Sequence, residues 1–172
     1  SADPAPGKLA VGLWGYTARA DDLLDVDGGG APVQRRRLGG YLLGETRLGH
    51  LGGEAGRGID GFFRLGATDG QSSPLKRSLN LGIRIQGLLA ARPQDAFGMA
   101  YTRGNVSSKY RQAQAAAGAA TTAYEAALEI DYRIAVNDWL VIQPQIQRIR
   151  HPAVDPTIRD STLYGMRVEM AL

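Results

Sequence analysis

The sequence predicts an all-β fold, an antiparallel up-and-down β-barrel of about eight strands, of the outer-membrane-barrel type, in a chain of 172 residues. Three observations carry that expectation. Side-chain character alternates with period two along several segments, as it must where a strand has one apolar and one polar surrounding. The longest of these segments is about twice the usual globular strand of roughly five to six residues, and long enough to cross a bilayer, which takes about 9 to 11 tilted residues. Finally, long polar connections alternate with short turns.

The first strand is expected over residues 9–17 and the second over 38–48. Glycine interrupts both, yet Trp14, Tyr16, Tyr41 and Arg47 fall on their polar and aromatic side. Residues 59–68 set Ile59, Phe63, Leu65 and Ala67 against Asp60 and Arg64. Residues 79–89 set Leu79, Leu81, Ile83 and Ile85 against Asn80, Arg84 and Gln86. Residues 96–103 oppose Phe97, Met99 and Tyr101 to Gly98, Ala100 and Thr102. The clearest alternation is 124–136, with Leu128, Ile130, Tyr132 and Ile134 on one face and Glu125, Glu129, Asp131 and Arg133 on the other. In 140–149, Leu140, Ile142 and Ile146 oppose Gln143, Gln145 and Gln147. Pro144 sits awkwardly there, because it cannot donate to a ladder. The last strand, 161–172, puts Tyr164, Met166, Val168 and Met170 opposite Arg167 and Glu169. Only the alanine-rich stretch 112–120 reads as helical.

Long polar segments follow the first, third, fifth and seventh strands (18–35, 69–77, 105–122 and 151–160). Shorter ones follow the second, fourth and sixth, the last being only Asn137-Asp138. That asymmetry belongs to outer-membrane barrels, and Trp139 stands beside the tightest turn, where an interfacial aromatic girdle sits. The expected organisation is a flexible lead over 1–7 and one barrel domain over 8–172. Periodicity alone leaves open a soluble barrel with its oily face inward.

Composition narrows the function. The chain has no cysteine, which removes thiol catalysis and zinc-thiolate sites. Net charge is only +3, and no basic run interleaved with aromatics supports nucleic-acid binding. Lys8, Lys76 and Lys109 are the only lysines among 20 basic residues. Arginine is preferred in confined ion-pair networks, although a GC-rich genome gives the same bias. Asp21, Asp22, Asp25 and Asp27 lack the spacing of a calcium loop, so a solvated acidic loop is expected. Gly52, Gly53, Gly56 and Gly58 read as a turn, because a strand rather than a helix follows them. His50 and His151 have no second ligand nearby in sequence, and Glu129, Asp131 and Arg133 read as a structural ion network. No metal, cofactor or catalytic residue is expected.

Several motifs resemble the bacterial carbohydrate-selective porin (OprB) family, in its C-terminal half. They are Phe63-Arg64-Leu65-Gly66-Ala67-Thr68-Asp69-Gly70, Gly87-Leu88, Arg92-Pro93-Gln94-Asp95 with Gly98, and the run from Tyr124-Glu125 through Tyr132-Arg133, Trp139-Leu140 and Gln143-Pro144 to His151-Pro152. The resemblance implies barrels of sixteen strands, of which this chain supplies about half. Gln145 stands where an acidic residue is usual in the family, and Leu172 where barrels commonly end in an aromatic.

An eight-stranded barrel has room only for its own side chains, whereas sixteen strands leave an aqueous channel. If the chain closes on itself, Trp14, Tyr16, Tyr41, Arg47, Arg64, Arg84, Glu125, Glu129, Asp131, Arg133, Gln143, Gln145, Arg167 and Glu169 plug the lumen. The expected role is then a non-catalytic structural or docking subunit at the outer membrane or a periplasm-facing membrane surface, with a membrane-bound dehydrogenase complex as one host. If the barrel is larger, the same residues line a passive sugar pore. Either way Leu79, Leu81, Ile83, Leu128, Ile130, Ile134, Leu140, Ile142, Met166 and Val168 face lipid or a partner protein.

Overall fold

The computed structural model describes residues 7–52 and 56–171. Most of the expected lead, Gly53 of the glycine-rich turn and Leu172 lie outside the described residues. Eight strands form one antiparallel meander in sequence order: β1 (Lys8–Val26), β2 (Pro32–His50), β3 (Gly58–Thr68), β4 (Leu75–Gln86), β5 (Ala96–Val106), β6 (Tyr124–Ala135), β7 (Leu140–Arg150) and β8 (Ser161–Met170). Among the described residues β1 and β8 each pair on one side only, so the sheet is open.

The alternation sets the register. Across the middle of the sheet, Phe63 pairs with Leu81, Leu81 with Tyr101, and Tyr101 with Leu128. Slipping any strand by one residue would move its charges into that apolar row. Ala96 and Ala126 are the only buried apolar side chains among the described residues, while Leu9, Val11, Leu13, Tyr164 and Met166 stand more than two-thirds exposed. A sheet with its apolar face so uncovered requires an apolar surrounding.

The largest departure from expectation is at the first hairpin. Residues 18–35 are not a loop: β1 and β2 continue through Arg19↔Arg36, Ala20↔Arg35 and Asp21↔Gln34 to a short turn at residues 27–31. Asp27 Oδ1 accepts from the N–H groups of Gly29 and Ala31, and Gly30 takes a positive φ of 83°. Because β3 pairs with β2 only from Gly39 onward, the hairpin projects beyond its neighbour. The connection at residues 87–95 is also longer than the short turn expected there.

Helix α1 (Ser108–Ala116) starts and ends earlier than the alanine-rich stretch suggests. Ser107 sets its start, accepting from the Tyr110 N–H at 3.0 Å as an N-cap. Pro144 is accommodated by a gap. The β6–β7 ladder is interrupted between Asp131↔Gln145 and Ile134↔Ile142, whereas β7–β8 pairing runs through Pro144↔Met166. The missing N–H thus costs pairing on one side only.

Two glycines on the polar and aromatic side of β1 and β2 are there for space. A Cβ on Gly39 would lie 2.2 Å from the Trp14 indole, and one on Gly12 would lie 2.3 Å from the Tyr41 ring. Gly39→Ala is therefore expected to lower stability by about 1–3 kcal/mol through overpacking, read as an earlier midpoint in urea unfolding of the refolded protein. Gly49→Ala, which meets nothing within 4 Å, is the control.

Candidate functional site

The register divides the charged and aromatic side chains from the apolar ones. One face carries Trp14, Tyr41, Arg47, Arg64, Arg84, Glu125, Glu129, Asp131, Arg133, Gln143, Gln145, Arg167 and Glu169. Tyr16 continues this row, its ring 5.6 Å from that of Trp14 in an edge-to-face contact. The opposite face carries Leu79, Leu81, Ile83, Leu128, Ile130, Ile134, Leu140, Ile142, Met166 and Val168.

The polar face is only partly neutralised. Arg47 pairs with Asp60, Gln143 donates to Asp131 at 2.7 Å, and Arg167 and Glu169 are 3.7 Å apart. Arg64, Arg84 and Arg133 have no carboxylate partner among the described residues. Arg84 donates to Gln86, and Arg64 lies 5.9 Å from the Phe62 ring centre. The expected ion network along β6 is not formed. Glu125 instead accepts from the Ala153 N–H, and Gln147 donates to Glu129 at 3.4 Å. A period-two strand holds like-side residues about 7 Å apart. The same i,i+2 spacing does bring Arg167 to Glu169, so the difference lies in Asp131, whose Oδ1 is taken by Gln143 from the neighbouring strand.

At the centre of this face is a depression of about 310 Å³, lined by Phe62, Arg84, Gly98, Asp131, Arg133 and Gln143. Gly98 makes it: a Cβ there would lie 2.2 Å from the Asp131 carboxylate. Phe62 was not singled out from sequence, since an aromatic in the polar row breaks the alternation; its even spacing with Asp60 and Arg64 is the signal that places it. The arrangement offers guanidinium donors, carboxylate and amide acceptors, and one aromatic face. These groups suit hydrogen bonding and stacking with a ligand.

A second charged group ties the projecting hairpin down. Asp22, expected in a solvated loop, is buried. It accepts from the N–H groups of Leu24 and Asp25, from Arg35 Nε at 2.9 Å and from Lys109 Nζ at 2.7 Å. Burial opposes its charge, but the Asp25 N–H, the Lys109 ammonium, the Leu24 N–H and Arg35 together hold the carboxyl well below the usual carboxylate range. Lys109 also reaches Asp25, so α1 is fastened to β1 across the end of the sheet.

At the opposite end, the connection before β5 is locked by Asp95. Its buried carboxylate accepts from Arg92 and from the Ala135 N–H at 2.9 Å, joining the turn to the end of β6. The hydrogen bonds from Arg92 chiefly hold its carboxyl below the usual range, against burial. The resembling motif Arg92-Pro93-Gln94-Asp95 is thus a structural clasp. The His151-Pro152 motif lies in a strained loop, with His151, Ala153 and Val154 all at φ of 51–55°. Thr122, Glu125 and Asp160 hold that loop in place.

The family model for carbohydrate-selective porins of the OprB family matches residues 1–172. The chain belongs to the OprB family. Porin B of Pseudomonas aeruginosa is 25% identical over 98% of this chain, and porin AaxA of Chlamydia muridarum is 29% identical over 64% of it. The chain spans less than half the length of these relatives, 42% and 23% respectively. The high-pH structure of Pseudomonas putida OprB superposes with a TM-score of 0.86 at 22% identity, covering 96% of this chain and 44% of that one. The low-pH structure gives 0.57 at 19% identity. The chain is therefore an outer-membrane protein of this porin family, with strands of the β-barrel type, and the relatives named above are porins. Among the described residues its eight strands form an open sheet.

Proposed function

We propose that the chain forms part of the wall of a passive carbohydrate channel, with its polar face toward water and its apolar face toward lipid. The open sheet carries this reading. A plugged accessory barrel, within a dehydrogenase complex or elsewhere, needs eight strands closed into a cylinder, and β1 and β8 do not pair with each other among the described residues. With further strands on those free edges, the polar face surrounds an aqueous passage of the kind sixteen-stranded barrels enclose.

The chemistry of the face fits sugars. Arg64, Arg84 and Arg133 keep free N–H donors for hydroxyl oxygens, Asp131 and Gln143 accept from hydroxyl groups, and Phe62 gives a ring face for stacking. On the apolar side, a groove of about 600 Å³ between Leu48, Phe63, Leu81, Met99 and Leu128 is a gap for acyl chains.

Liposome swelling with mono- and disaccharides tests the function. Vesicles holding the refolded chain are expected to swell in glucose faster than empty vesicles, and Arg84→Ala with Arg133→Ala to change the ratio of mono- to disaccharide rates. Protein whose β1 and β8 edges are shown by cross-linking to be paired in the vesicle, yet which leaves swelling at the empty-vesicle rate, would rule the channel out.

A further inference from the structure

The apolar face is not apolar to both ends. On β7 its row runs Leu140, Ile142, Pro144, Ile146 and then becomes Arg148 and Arg150. On β5 it runs Phe97, Met99, Tyr101 and then Arg103; on β4, read toward the same end, it runs Ile85, Ile83, Leu81, Leu79 and then Arg77. All three rows thus turn from apolar to arginine toward the rim where α1 and the projecting hairpin stand, with Asn105 alone beyond Arg103 on β5. At the other rim the same rows end in Ile85, Phe97 and Leu140, without charge. Every carboxylate within β3 to β8 lies on the opposite face.

These arginines are close together and weakly committed. Register places Arg103 and Arg150 on either side of Ala126, in one row across β6. Neighbouring strands are about 4.8 Å apart, so the two backbones are separated by about 10 Å. Ala126 between them is a buried small residue that leaves the space above it to the two side chains. Arg103 has no carboxylate partner among the described residues; its guanidinium lies 3.9 Å over the Tyr124 ring and donates to Asn105. Arg148 and Arg150 share a single carboxylate, Asp160, at 3.4 and 3.7 Å. Both are more than half exposed. Among the described residues these four guanidinium groups meet one carboxylate, which leaves net positive charge on the lipid side of this rim.

An arginine on a lipid-facing strand is stable where its head reaches the polar boundary of the bilayer. Tyr124 marks that boundary, as interfacial aromatics do. The group that answers several guanidiniums at this depth is phosphate, which accepts bidentate, charge-assisted hydrogen bonds. We infer that Arg77, Arg103, Arg148 and Arg150 form a binding site for the phosphate-bearing headgroup of an outer-leaflet lipid, with the acyl chains on Leu79, Tyr101 and Leu128 below. The inference rests on the assignment of the apolar face to lipid. It adds a specific ligand that the channel reading does not require.

The test uses the full chain in neutral detergent, with diphosphoryl lipid A as probe and retention followed by native mass spectrometry. Wild type is expected to retain lipid A in preference to phosphatidylcholine. Arg103→Gln with Arg150→Gln is expected to weaken retention about tenfold, while Arg64→Gln with Arg84→Gln on the polar face leaves it unchanged. Equal retention by wild type and the rim variant, with both showing the same strand content by circular dichroism, would overturn the site. Displacement by millimolar inorganic phosphate as effective as by lipid A would also overturn it, by showing a simple anion site. Labelling of a cysteine at Ile146 by a water-soluble reagent would show instead that the face assignment had failed.

Discussion

Ile130→Arg is expected to prevent stable insertion of the protein into a bilayer. Ile130 sits in the middle of the apolar row between Met99 and Ile146. An arginine on the lipid face near the midplane of a β-barrel costs about 2–4 kcal/mol, a large share of a marginal folding free energy. The neighbouring substitution Gln145→Arg adds the same charge one strand away and on the other face, where Asp131 is its cross-strand partner. It is expected to fold as wild type does. Refolding into phosphatidylcholine vesicles, scored by heat-modifiable mobility, compares the two. Equal folding yields would mean that the two faces meet the same medium.

Asp95→Ala is expected to be the most damaging change at the rim opposite α1. It removes the acceptor of the Ala135 N–H and both hydrogen bonds from Arg92. Losing bonds to a buried carboxylate and stranding a backbone donor costs about 3 kcal/mol. The effect depends on pH in a definite direction. Asp95 titrates below its ordinary value in the folded protein, held there first by Arg92. Its contribution is therefore complete above the unfolded value of about 3.9 and is lost as pH falls through the lower folded value. Urea unfolding should separate wild type from Asp95→Ala widely at pH 7 and bring them together near pH 2. A gap that stays constant with pH would show that the carboxylate charge is not what holds the turn.

The fold was legible wherever one face of a strand is apolar. Residues 59–68, 96–103, 124–136 and 140–149 announce themselves by alternation, and their observed bounds differ by a few residues at most. Alternation was silent over 18–35 because those parts of β1 and β2 are held by charge. Asp22 with Arg35, and Asp21 with Gln34, take the place of apolar cross-strand pairs, and such residues read as loop. Lys109 could not be linked to Asp22 from sequence at all, since 87 residues separate them. The helix was misplaced because composition pointed to its alanines while Ser107, the cap, set its start. The polar face was legible as a list of residues. The pairing within it was not, because hydrogen bonding between Gln143 and Asp131 depends on strand register rather than on order along the chain. Whether eight strands close was also out of reach, since that depends on what the free edges of β1 and β8 meet.

Gln145 and Ile146 are adjacent in β7 and point to opposite faces, so labels at the two positions report which face meets water and which meets lipid. Single cysteines at the two positions, in protein reconstituted into phosphatidylcholine vesicles, can be reacted with a charged, water-soluble maleimide. Rapid labelling is expected at 145 and protection at 146, with 146 becoming reactive only when the bilayer is dissolved. Rapid labelling at 146 with protection at 145 would invert the two faces and contradict the channel wall proposed for this chain.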